Sequence, residues 1–515
     1  SSQRIAKESM LKELFNYDKR HGWREPINYE KLFNEDQIKT LKDLNLDFLI
    51  DEKYTDNDDL YKNNISNTLS EIFENHSYYE DYIKGLVIYV NSDKIFVINE
   101  NFDINSVDWT NEYSWARERI AINNYGSKPK NFYDILKFGD FIYLKDNDNF
   151  FTIDQIPVAE SSLISINPKS GEVVAYLGGK NFNESSFDRV RLSYPQSGSS
   201  FKPFIYSAAL NHGYNLSTLI NDAPIVFEDE NLESAWRPQN YTGEFYGPIS
   251  LREALTKSVN IVSIKLLREL GLDKTHNFLE NFGFQKSRLP NDLSLALGSG
   301  NFSPIEMSRA YSVIATNGFI PDIYFIDSIK DRNGNIIYSH DNFDGQREIS
   351  AFPWLDTLEM NENRPYYLTN PVERKEKVID ERVAYLMKDV LKGFMKNGVA
   401  GRKAAYLNRD DIGGKTGTTN DSVSTWFSGF HEDLVTTVWV GTDDFTSLGE
   451  NEYGSTIALP IWLNYMSFKL EALDISKDPI PENISFIRVD RSTGEIDLES
   501  NDNFYFELFL NENTN

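Results

Sequence analysis

A serine and a lysine stand three residues apart in QSGSSFKPFIYSAAL, residues 196–210. Ser199 and Lys202 enter an apolar stretch of helical spacing, so they share one face at the start of a predicted helix. A serine hydroxyl is a weak nucleophile, and a lysine can activate it if burial or another cation lowers the lysine pKa. Backbone N–H groups at a helix N-terminus can also stabilise an oxyanion. The segment therefore has the residue types that nucleophilic catalysis requires.

The same segment also has a purely structural interpretation. Ser199 or Ser200 is a suitable N-cap, and the Lys202 side chain can run along apolar surface to place its ammonium in water. Two other pairs have the same spacing: Ser9 with Lys12, and Ser127 with Lys130. Taken alone, the serine–lysine pair favours the structural interpretation.

A second short motif lies in GGKTGTTND, residues 413–421. Lys415, Thr416 and Gly417 have the context of a strand with glycines on both sides. Glycine inside a strand often marks a place where a ligand approaches the backbone closely. The structural alternative is an edge strand that leaves a glycine-rich turn.

A third motif, Ser258-Val259-Asn260, precedes an apolar helical segment in LTKSVNIVSIKLL. Alone it is typical of a cap or turn, and Ser165-Ile166-Asn167 has the same form. The three motifs are separated by 59 residues (Ser199 to Ser258) and 157 residues (Ser258 to Lys415). Their joint occurrence in this order favours catalysis over three unrelated turns.

Several other classes of function are poorly supported. The chain has no cysteine, which excludes disulfides, thiolate chemistry and zinc sites with sulfur ligands. Its six histidines form no H-E-x-x-H, and no G-x-S-x-G occurs, so zinc and Ser-His-Asp hydrolases are disfavoured. A net charge of −27 argues against nucleic acid as a partner. We therefore expect neither metal nor cofactor.

The elements that must position the three motifs form one predicted α+β domain, at 158–480. SSLISINPKSGEVVAYLGG reads as a hairpin, the region from Ser193 to about Leu272 as helical, and DDIGGKTGTTN, STWFSGF and LVTTVWVGTDD as three successive strands. Strands at both ends of a helical region predict one antiparallel sheet assembled from distant segments.

The regions on either side of this domain have different residue patterns. Residues 1–82 read as a charged, helical linker region, and 481–515 as a C-terminal tail. GLVIYVNSDKIFVINE and FGDFIYLKDNDNFFTIDQI read as two hairpins. They predict a small β-barrel at 83–157, the alternative being two hairpins laid on a larger sheet.

The start of the chain, SSQRIAKESM, has no signal-peptide core, and no apolar run reaches the length of a membrane span. We expect a processed or truncated piece whose membrane anchor lay upstream.

The chain resembles the class A penicillin-binding proteins, and among them the 1a type of Gram-negative bacteria in particular. The resemblance covers nearly the whole sequence and is carried by YDKRHGWREP, ISINPKSGEVVAYLGGKNFNESSFDR, AWRPQNYTGEFYGPISLREAL, ALGSGNFSPIEMSRAYSVIATNGF and RDDIGGKTGTTNDSVSTWFSGF. Trp115-Ala116-Arg117 and FGDFIYL resemble the inserted OB-like domain of that family. S-x-x-K, S-x-N and K-T-G in this order are typical of penicillin-binding proteins and serine β-lactamases.

The resemblance implies a fold and a role for each motif residue. The fold is a penicillin-binding, serine β-lactamase-like transpeptidase domain, with a five-stranded antiparallel sheet and helices on both faces. A small OB-like β-barrel and a linker accompany it. Ser199 would attack the D-Ala-D-Ala carbonyl of a peptidoglycan stem peptide, with Lys202 as base and loss of D-Ala. Ser258 would relay the proton to the leaving group, Asn260 would bind the peptide amide, and Lys415 would supply positive charge.

The resemblance also implies how substrate is held. Thr416, Gly417 and Thr418 would bind it, with the two threonines on the substrate carboxylate. The N–H groups of Ser199 and Thr418 would form the oxyanion hole. β-Lactam antibiotics would acylate Ser199 because they mimic D-Ala-D-Ala. The full-length protein would be anchored at the periplasmic face of the inner membrane of a Gram-negative bacterium, with a possible regulator at the OB-like domain. The family's glycosyltransferase domain has no counterpart in this sequence.

Other activities remain open on the same fold: a D,D-carboxypeptidase, a serine β-lactamase, a β-lactam sensor, or a scaffold. A class A β-lactamase uses a glutamate in an E-x-x-L-N setting. The pairs Leu44-Asn45 and Leu407-Asn408 have Leu41 and Ala404 at that position instead. Neither of these two pairs therefore supplies the deacylating glutamate of a β-lactamase.

Overall fold

The computed structural model describes residues 1–51, 58–147, 150–226, 236–340, 377–498 and 502–513. The chain forms two compact units. One comprises Ser1–Met10, Ser161–Gly178 and Asp188–Asn515, and the other comprises Leu11–Glu160 and Gly179–Phe187. Across the described part of the chain, no helix is both long enough and apolar enough to span a bilayer.

The N-terminal half contains the helices and strands of the smaller unit. Its helices are α2 Glu35–Asp51, α3 Asp58–Glu74 and, from Leu11 onward, α1 Ser2–Arg20. Its strands are β1 Tyr82–Val90, β2 Lys94–Asn99, β3 Ile104–Asp108, β4 Arg119–Ala121, β5 Asn124–Tyr125, β6 Phe141–Asp146 and β7 Phe151–Asp154. The predicted hairpins β1–β2 and β6–β7 are confirmed, with residues 148–149 of the second turn outside the described chain.

These two hairpins belong to one sheet, because β1 pairs with β6 as well as with β2. The strand order is β3-β2-β1-β6-β7, and β3 also approaches β7, which curls the sheet toward a barrel. Successive side chains point to opposite faces, and both faces are buried. Val87 and Val97 pack in one core, whereas Leu86 and Ile98 pack in another together with Ile72 of α3. The barrel expected at 83–157 lies inside this unit, and its limits as a domain stay a prediction.

The larger unit contains the remaining elements. Its strands are β8 Glu160–Ile166, β9 Val173–Leu177, β10 Leu219–Asp222, β11 Gly247–Ser250, β12 Ser328–Lys330, β13 Ile336–Ser339, β14 Gly413–Thr418, β15 Ser424–His431, β16 Leu434–Gly441, β17 Ile484–Asp490 and β18 Phe504–Leu510. Its helices are α4 Lys202–Asn211, α5 Leu251–Thr256, α6 Asn260–Leu270, α7 Leu272–Leu279, α8 Pro304–Ala315, α9 Glu381–Asn397, α10 Gly401–Ala404 and α11 Leu459–Leu470.

The region from Ser193 to Leu272, predicted as helical, is only partly so. It contains α4, α5 and α6, but β10 and β11 form an antiparallel pair between them. These two strands are far apart in sequence and no tight turn joins them, so no local hairpin signal marked them.

The central sheet has the order β14-β15-β16-β8-β9. The predicted β8–β9 hairpin and the three successive strands β14 to β16 are confirmed. Every residue of β15 and β16 is buried. Trp426 packs in the main core with Tyr311 of α8, whereas the next residue, Phe427, packs against Trp462 of α11 with ring centroids 5.0 Å apart. The predicted antiparallel sheet with helices on both faces is therefore confirmed.

Residues 481–515, expected as a C-terminal tail, contain the β17–β18 ribbon. Leu508 and Leu510 belong to the main core. Glu507 accepts two hydrogen bonds from the Arg252 guanidinium, each of 2.6 Å. The limits 158–480 and 481–515 stay predictions, but the ribbon packs as part of the larger unit.

Candidate active site

Ser199 lies in a short 3-10 turn, Gly198–Phe201, that runs directly into α4. The capping role considered for Ser199 or Ser200 is wrong, because no side chain caps α4, and the Ser200 hydroxyl donates to the Ser197 carbonyl at 2.6 Å. Ser199 is partly exposed, and within the described residues its hydroxyl makes no hydrogen bond. The turn therefore presents this hydroxyl without a structural partner.

The Lys202 side chain is completely buried, which rules out the structural alternative in which its ammonium extends into water. Its Nζ donates to the Ser258 carbonyl and to Asn260 Oδ1, both at 2.7 Å. Longer contacts join it to the Val259 carbonyl at 3.3 Å and the Ser258 hydroxyl at 3.4 Å. The S-x-x-K and S-x-N motifs thus meet at one buried amine.

Lys415 reaches the same serine from β14. Its Nζ donates to Ser258 Oγ at 2.9 Å and to the Thr416 carbonyl at 3.1 Å. It also lies 4.7 Å from the ring centroid of Phe394 in α9. Lys415 is as completely buried as Lys202. The Ser258 hydroxyl therefore lies between two buried amines, and three distant segments of the chain converge on it.

No carboxylate compensates these two amines in the described part of the chain. Burial, and after it the charge of Lys415, holds the pKa of Lys202 well below its ordinary value. Burial lowers the pKa of Lys415 to about 7. Two ammonium groups in contact with one hydroxyl repel each other. A proton on one amine therefore disfavours a proton on the other, and the charge of Lys415 is one of the causes that lower the pKa of Lys202.

The backbone of Ser258 is in the left-handed region, with φ of 58°. Non-glycine residues seldom adopt it, and such strain is concentrated at functional sites. Flanking hydrogen bonds hold it: Ser258 N–H donates to Leu255 at 3.0 Å, and Val259 N–H donates to Ala254 at 2.8 Å. The conformation presents both the carbonyl and the hydroxyl of Ser258 to Lys202.

The Ser199 turn is in backbone contact with the end of β14. An ideal Cβ on Gly198 would lie 2.6 Å from the Thr418 carbonyl oxygen and 3.0 Å from the Thr418 nitrogen. Gly198 also has φ of 54°, so glycine is required on both counts. The N–H groups of Ser199 and Thr418, the predicted oxyanion hole, therefore belong to adjoining segments.

The predicted substrate-binding residues lie on β14, which is an edge strand of its sheet. Thr416 is only 7% exposed, and its hydroxyl makes no hydrogen bond within the described residues. Thr418 Oγ1 accepts from the Gly454 N–H at 3.0 Å, which leaves its own O–H free to donate. Gly417 packs so closely that a Cβ there would lie 2.5 Å from the Ser197 carbonyl.

Two regions of the chain match known protein domains. Residues 162–467, more than half of the chain, match the penicillin-binding protein transpeptidase domain. The chain belongs to the penicillin-binding protein family. Residues 52–159 match the penicillin-binding protein OB-like domain. The resemblance and the fold class expected from the sequence are confirmed.

Individual relatives agree with this assignment. Penicillin-binding protein 1A of Pseudomonas aeruginosa is 38% identical over 458 residues, which are 84% of this chain and 54% of that protein. The Vibrio cholerae protein of the same name is 34% identical over 98% of this chain and 61% of its own length. The crystal structure of penicillin-binding protein 1A from Haemophilus influenzae superposes with a TM-score of 0.78 at 29% identity, covering 99% of this chain and 70% of that one. This penicillin-binding protein chain thus spans about half to three fifths of the two curated relatives.

A second glycine contact at the candidate active site was not identified by the three sequence motifs. Gly298, with φ of 74°, lies beneath the Ser199 turn, and a Cβ there would be 1.9 Å from the Gly198 carbonyl oxygen. Its carbonyl accepts the Gly198 N–H at 3.0 Å, and the Gly300 carbonyl accepts the Ser197 N–H at 3.2 Å. The available signal was the G-x-G spacing in ALGSGN, which was used only as part of the family resemblance.

Proposed function

We propose that this chain carries a D,D-transpeptidase that cross-links peptidoglycan stem peptides through an acyl-enzyme on Ser199, with release of D-Ala. The observation that carries the proposal is the fully buried Lys202 amine, which is held by Ser258 and Asn260 and follows a free serine hydroxyl by three residues. Such an amine has the lowered pKa that a general base requires.

Acylation follows from the bonds of this amine. A neutral amine has two N–H donors and one lone pair. The two short bonds, to the Ser258 carbonyl and Asn260 Oδ1, use both donors. The lone pair is left to accept the Ser199 proton while Ser199 Oγ bonds to the penultimate D-Ala carbonyl carbon. The oxyanion is stabilised by the N–H groups of Ser199 and Thr418.

Expulsion of D-Ala needs a proton on its amine. Ser258, which contacts both Lys202 and Lys415, is suited to pass it. The Asn260 amide donates one N–H to the Gln239 carbonyl at 2.9 Å and keeps a second for a substrate carbonyl. The substrate carboxylate would take the free O–H groups of Thr416 and Thr418, near the positive charge of Lys415. The amine of a second stem peptide then attacks the ester and restores Ser199.

Covalent labelling tests the nucleophile. We expect fluorescent penicillin to label this chain and intact-mass spectrometry to show one long-lived penicilloyl adduct. Ser199→Ala is expected to abolish the adduct, because no other group there bonds to the β-lactam carbonyl. Ser127→Ala is the matched control, since Ser127 is exposed and belongs to another S-x-x-K pair, and it should label fully.

Two outcomes would favour the alternatives. Rapid return to the free mass with turnover of the drug would indicate a β-lactamase. With lipid-linked substrate, free D-Ala without cross-linked dimer would indicate a D,D-carboxypeptidase. Equal labelling of Ser199→Ala and the parent chain would refute the nucleophile itself.

The pH dependence of acylation is expected to separate the two lysines. The acidic limb reports protonation of Lys202, whose pKa lies well below its ordinary value, and the alkaline limb near pH 7 reports loss of the Lys415 proton. Lys415→Met should remove the alkaline limb and lower the rate. It should also move the acidic limb to higher pH, because the Lys415 charge is one of the causes that depress the Lys202 pKa.

The measurement is the acylation rate constant from pH 4 to 10, with a solvent-facing lysine replaced in parallel (Lys403→Met). An acidic limb that stays in place in Lys415→Met would contradict the coupling between the two amines.

We further propose that the full-length protein lies at the periplasmic face of the inner membrane of a Gram-negative bacterium and is a target of β-lactam antibiotics. The relatives named above come from such bacteria. A regulator at the OB-like domain fits the same proposal. The acidic charge of −27 continues to argue against nucleic acid as a partner.

A further inference from the structure

Helix α6 begins at Asn260 without a cap from its own segment. The preceding residue is Val259, whose side chain has no oxygen, and no acidic residue lies in the first turn. Yet the first N–H groups of a helix need acceptors from elsewhere. This helix start must be well fixed, because the Ser258 carbonyl and Asn260 Oδ1 are the two acceptors that hold Lys202 at 2.7 Å.

The missing cap comes from Asn240, twenty residues earlier in the chain. Asn240 Oδ1 accepts the N–H of Asn260 at 2.9 Å and that of Ile261 at 3.2 Å. The neighbouring Gln239 carbonyl accepts the Asn260 side-chain amide at 2.9 Å. Residues 239–240 therefore hold Asn260 by both its backbone and its side chain.

Asn240 is itself held by a buried carboxylate. Its Nδ2 donates to both oxygens of Asp222, at 2.9 and 2.8 Å, and to the Glu244 carbonyl at 2.9 Å. Asp222 is 1% exposed and Asn240 is 6% exposed. Asp222 also accepts the Tyr246 N–H at 2.9 Å. Because Asp222 can only accept, it fixes the Asn240 amide with Nδ2 toward the carboxylate and Oδ1 toward α6.

We infer that Asn240 and Asp222 are positioning residues for acylation, which set the start of α6 and through it the acceptors of the Lys202 amine. The inference rests on the proposed acylation of Ser199. Neither residue is hydrogen-bonded to Ser199 or Lys202. They act on Lys202 through a continuous series of hydrogen bonds that links Asp222, Asn240, Asn260 and Lys202.

The test exchanges the amide and the carboxylate. Asn240→Asp places two carboxylates within hydrogen-bond distance of each other, so one must move or take a proton. We expect its acylation rate constant with fluorescent penicillin to fall about 10- to 100-fold, the cost of a misplaced catalytic group. Its noncovalent dissociation constant for the drug should change less than about twofold, because the pair lies behind Asn260.

The double variant Asn240→Asp with Asp222→Asn restores the bond with donor and acceptor reversed. The carboxylate introduced at position 240 then caps α6, where a negative charge is favourable, and the amide introduced at position 222 donates to it. The lost bond to the Glu244 carbonyl lies beside an exposed residue, and water replaces it. We expect the rate constant to return to within about threefold of the parent, a smaller deficit than one misplaced group costs. Asn221→Ala, an exposed neighbour on β10, is the control and should acylate at the parent rate.

Rescue in the double variant supports the inference even if Asn240→Asp alone does not fold. A double variant that stays slow or unfolded overturns it, as does an Asn240→Asp protein that acylates at the parent rate. Weaker noncovalent binding of the drug with an unchanged acylation rate constant also overturns it. If the parent chain forms no adduct at all, the proposed function fails first, and that result is distinct from any of these.

Discussion

Replacing Lys202 with methionine is expected to slow acylation of Ser199 by about 10²- to 10⁴-fold, the usual contribution of a general base. Methionine has nearly the length of lysine and fills the same buried space, so the Phe201–Asn211 region should keep its packing. What disappears is the lone pair that receives the Ser199 proton. The loss should appear in the acylation rate constant rather than in the affinity for the drug, since Lys202 is completely buried.

The same substitution is expected to leave the protein at least as stable as the parent at neutral pH. The folded-state pKa of Lys202 lies well below the ordinary 10.5, so between these values the unfolded chain binds more protons than the folded chain. The stability of the parent therefore rises with pH across this window. Lys202→Met has no amine to titrate, so this pH dependence disappears from its stability. Its stability advantage over the parent is therefore largest below the folded-state pKa of Lys202 and vanishes above about pH 10.5.

Stopped-flow labelling and urea unfolding at several pH values would measure the two effects. Lys388→Met is a demanding control, because Lys388 is also buried with a lowered pKa but pairs with Asp478 at 3.1 Å, away from Ser258. It should lose stability and keep its acylation rate. Acylation by Lys202→Met within about threefold of the parent, far less than a general base contributes, would exclude Lys202 as the base.

Replacing Gly298 with alanine is expected to damage both folding and acylation. The added Cβ would lie 1.9 Å from the Gly198 carbonyl oxygen, which is backbone and cannot rotate away, and Gly298 has φ of 74°. The left-handed conformation costs alanine about 1–2 kcal/mol, and overpacking a rigid contact typically costs a further ~1–3 kcal/mol. Because Gly198 precedes Ser199, the displaced turn should also lower the acylation rate, on the order of 10²-fold for a shift of about 1 Å.

A second glycine separates the two causes. Gly213 has φ of 93°, but nothing lies within 4 Å of its Cβ position, so Gly213→Ala carries the backbone cost without the clash. We expect Gly213→Ala to lose about 1–2 kcal/mol of unfolding free energy and to acylate normally. Thermal unfolding and penicillin labelling of both variants give the comparison. Equal acylation by the two alanine variants would show that the Gly198–Gly298 contact does not position Ser199.

Local patterns predicted the strands well. Alternating apolar residues around turn residues identified the hairpins β1–β2, β6–β7 and β8–β9, because a hairpin is built from contacts that are short in sequence. The β10–β11 pair was missed, since its two strands are far apart in the sequence and share no turn.

The sequence by itself determined the motif residues, their order and, through their resemblance, the family and fold of this chain. The roles of Ser199, Lys202, Ser258, Asn260 and Lys415 remain predictions. Only the tertiary structure decided that Lys202 is buried and bonded to Ser258 and Asn260 rather than extended into water, because its surroundings come from segments more than fifty residues away. It alone also brought Gly298 beneath Gly198 and Asn240 to the start of α6. A single glycine or asparagine that makes one backbone contact at long range leaves no periodic pattern in the sequence, so its function is visible only when the two backbones lie side by side.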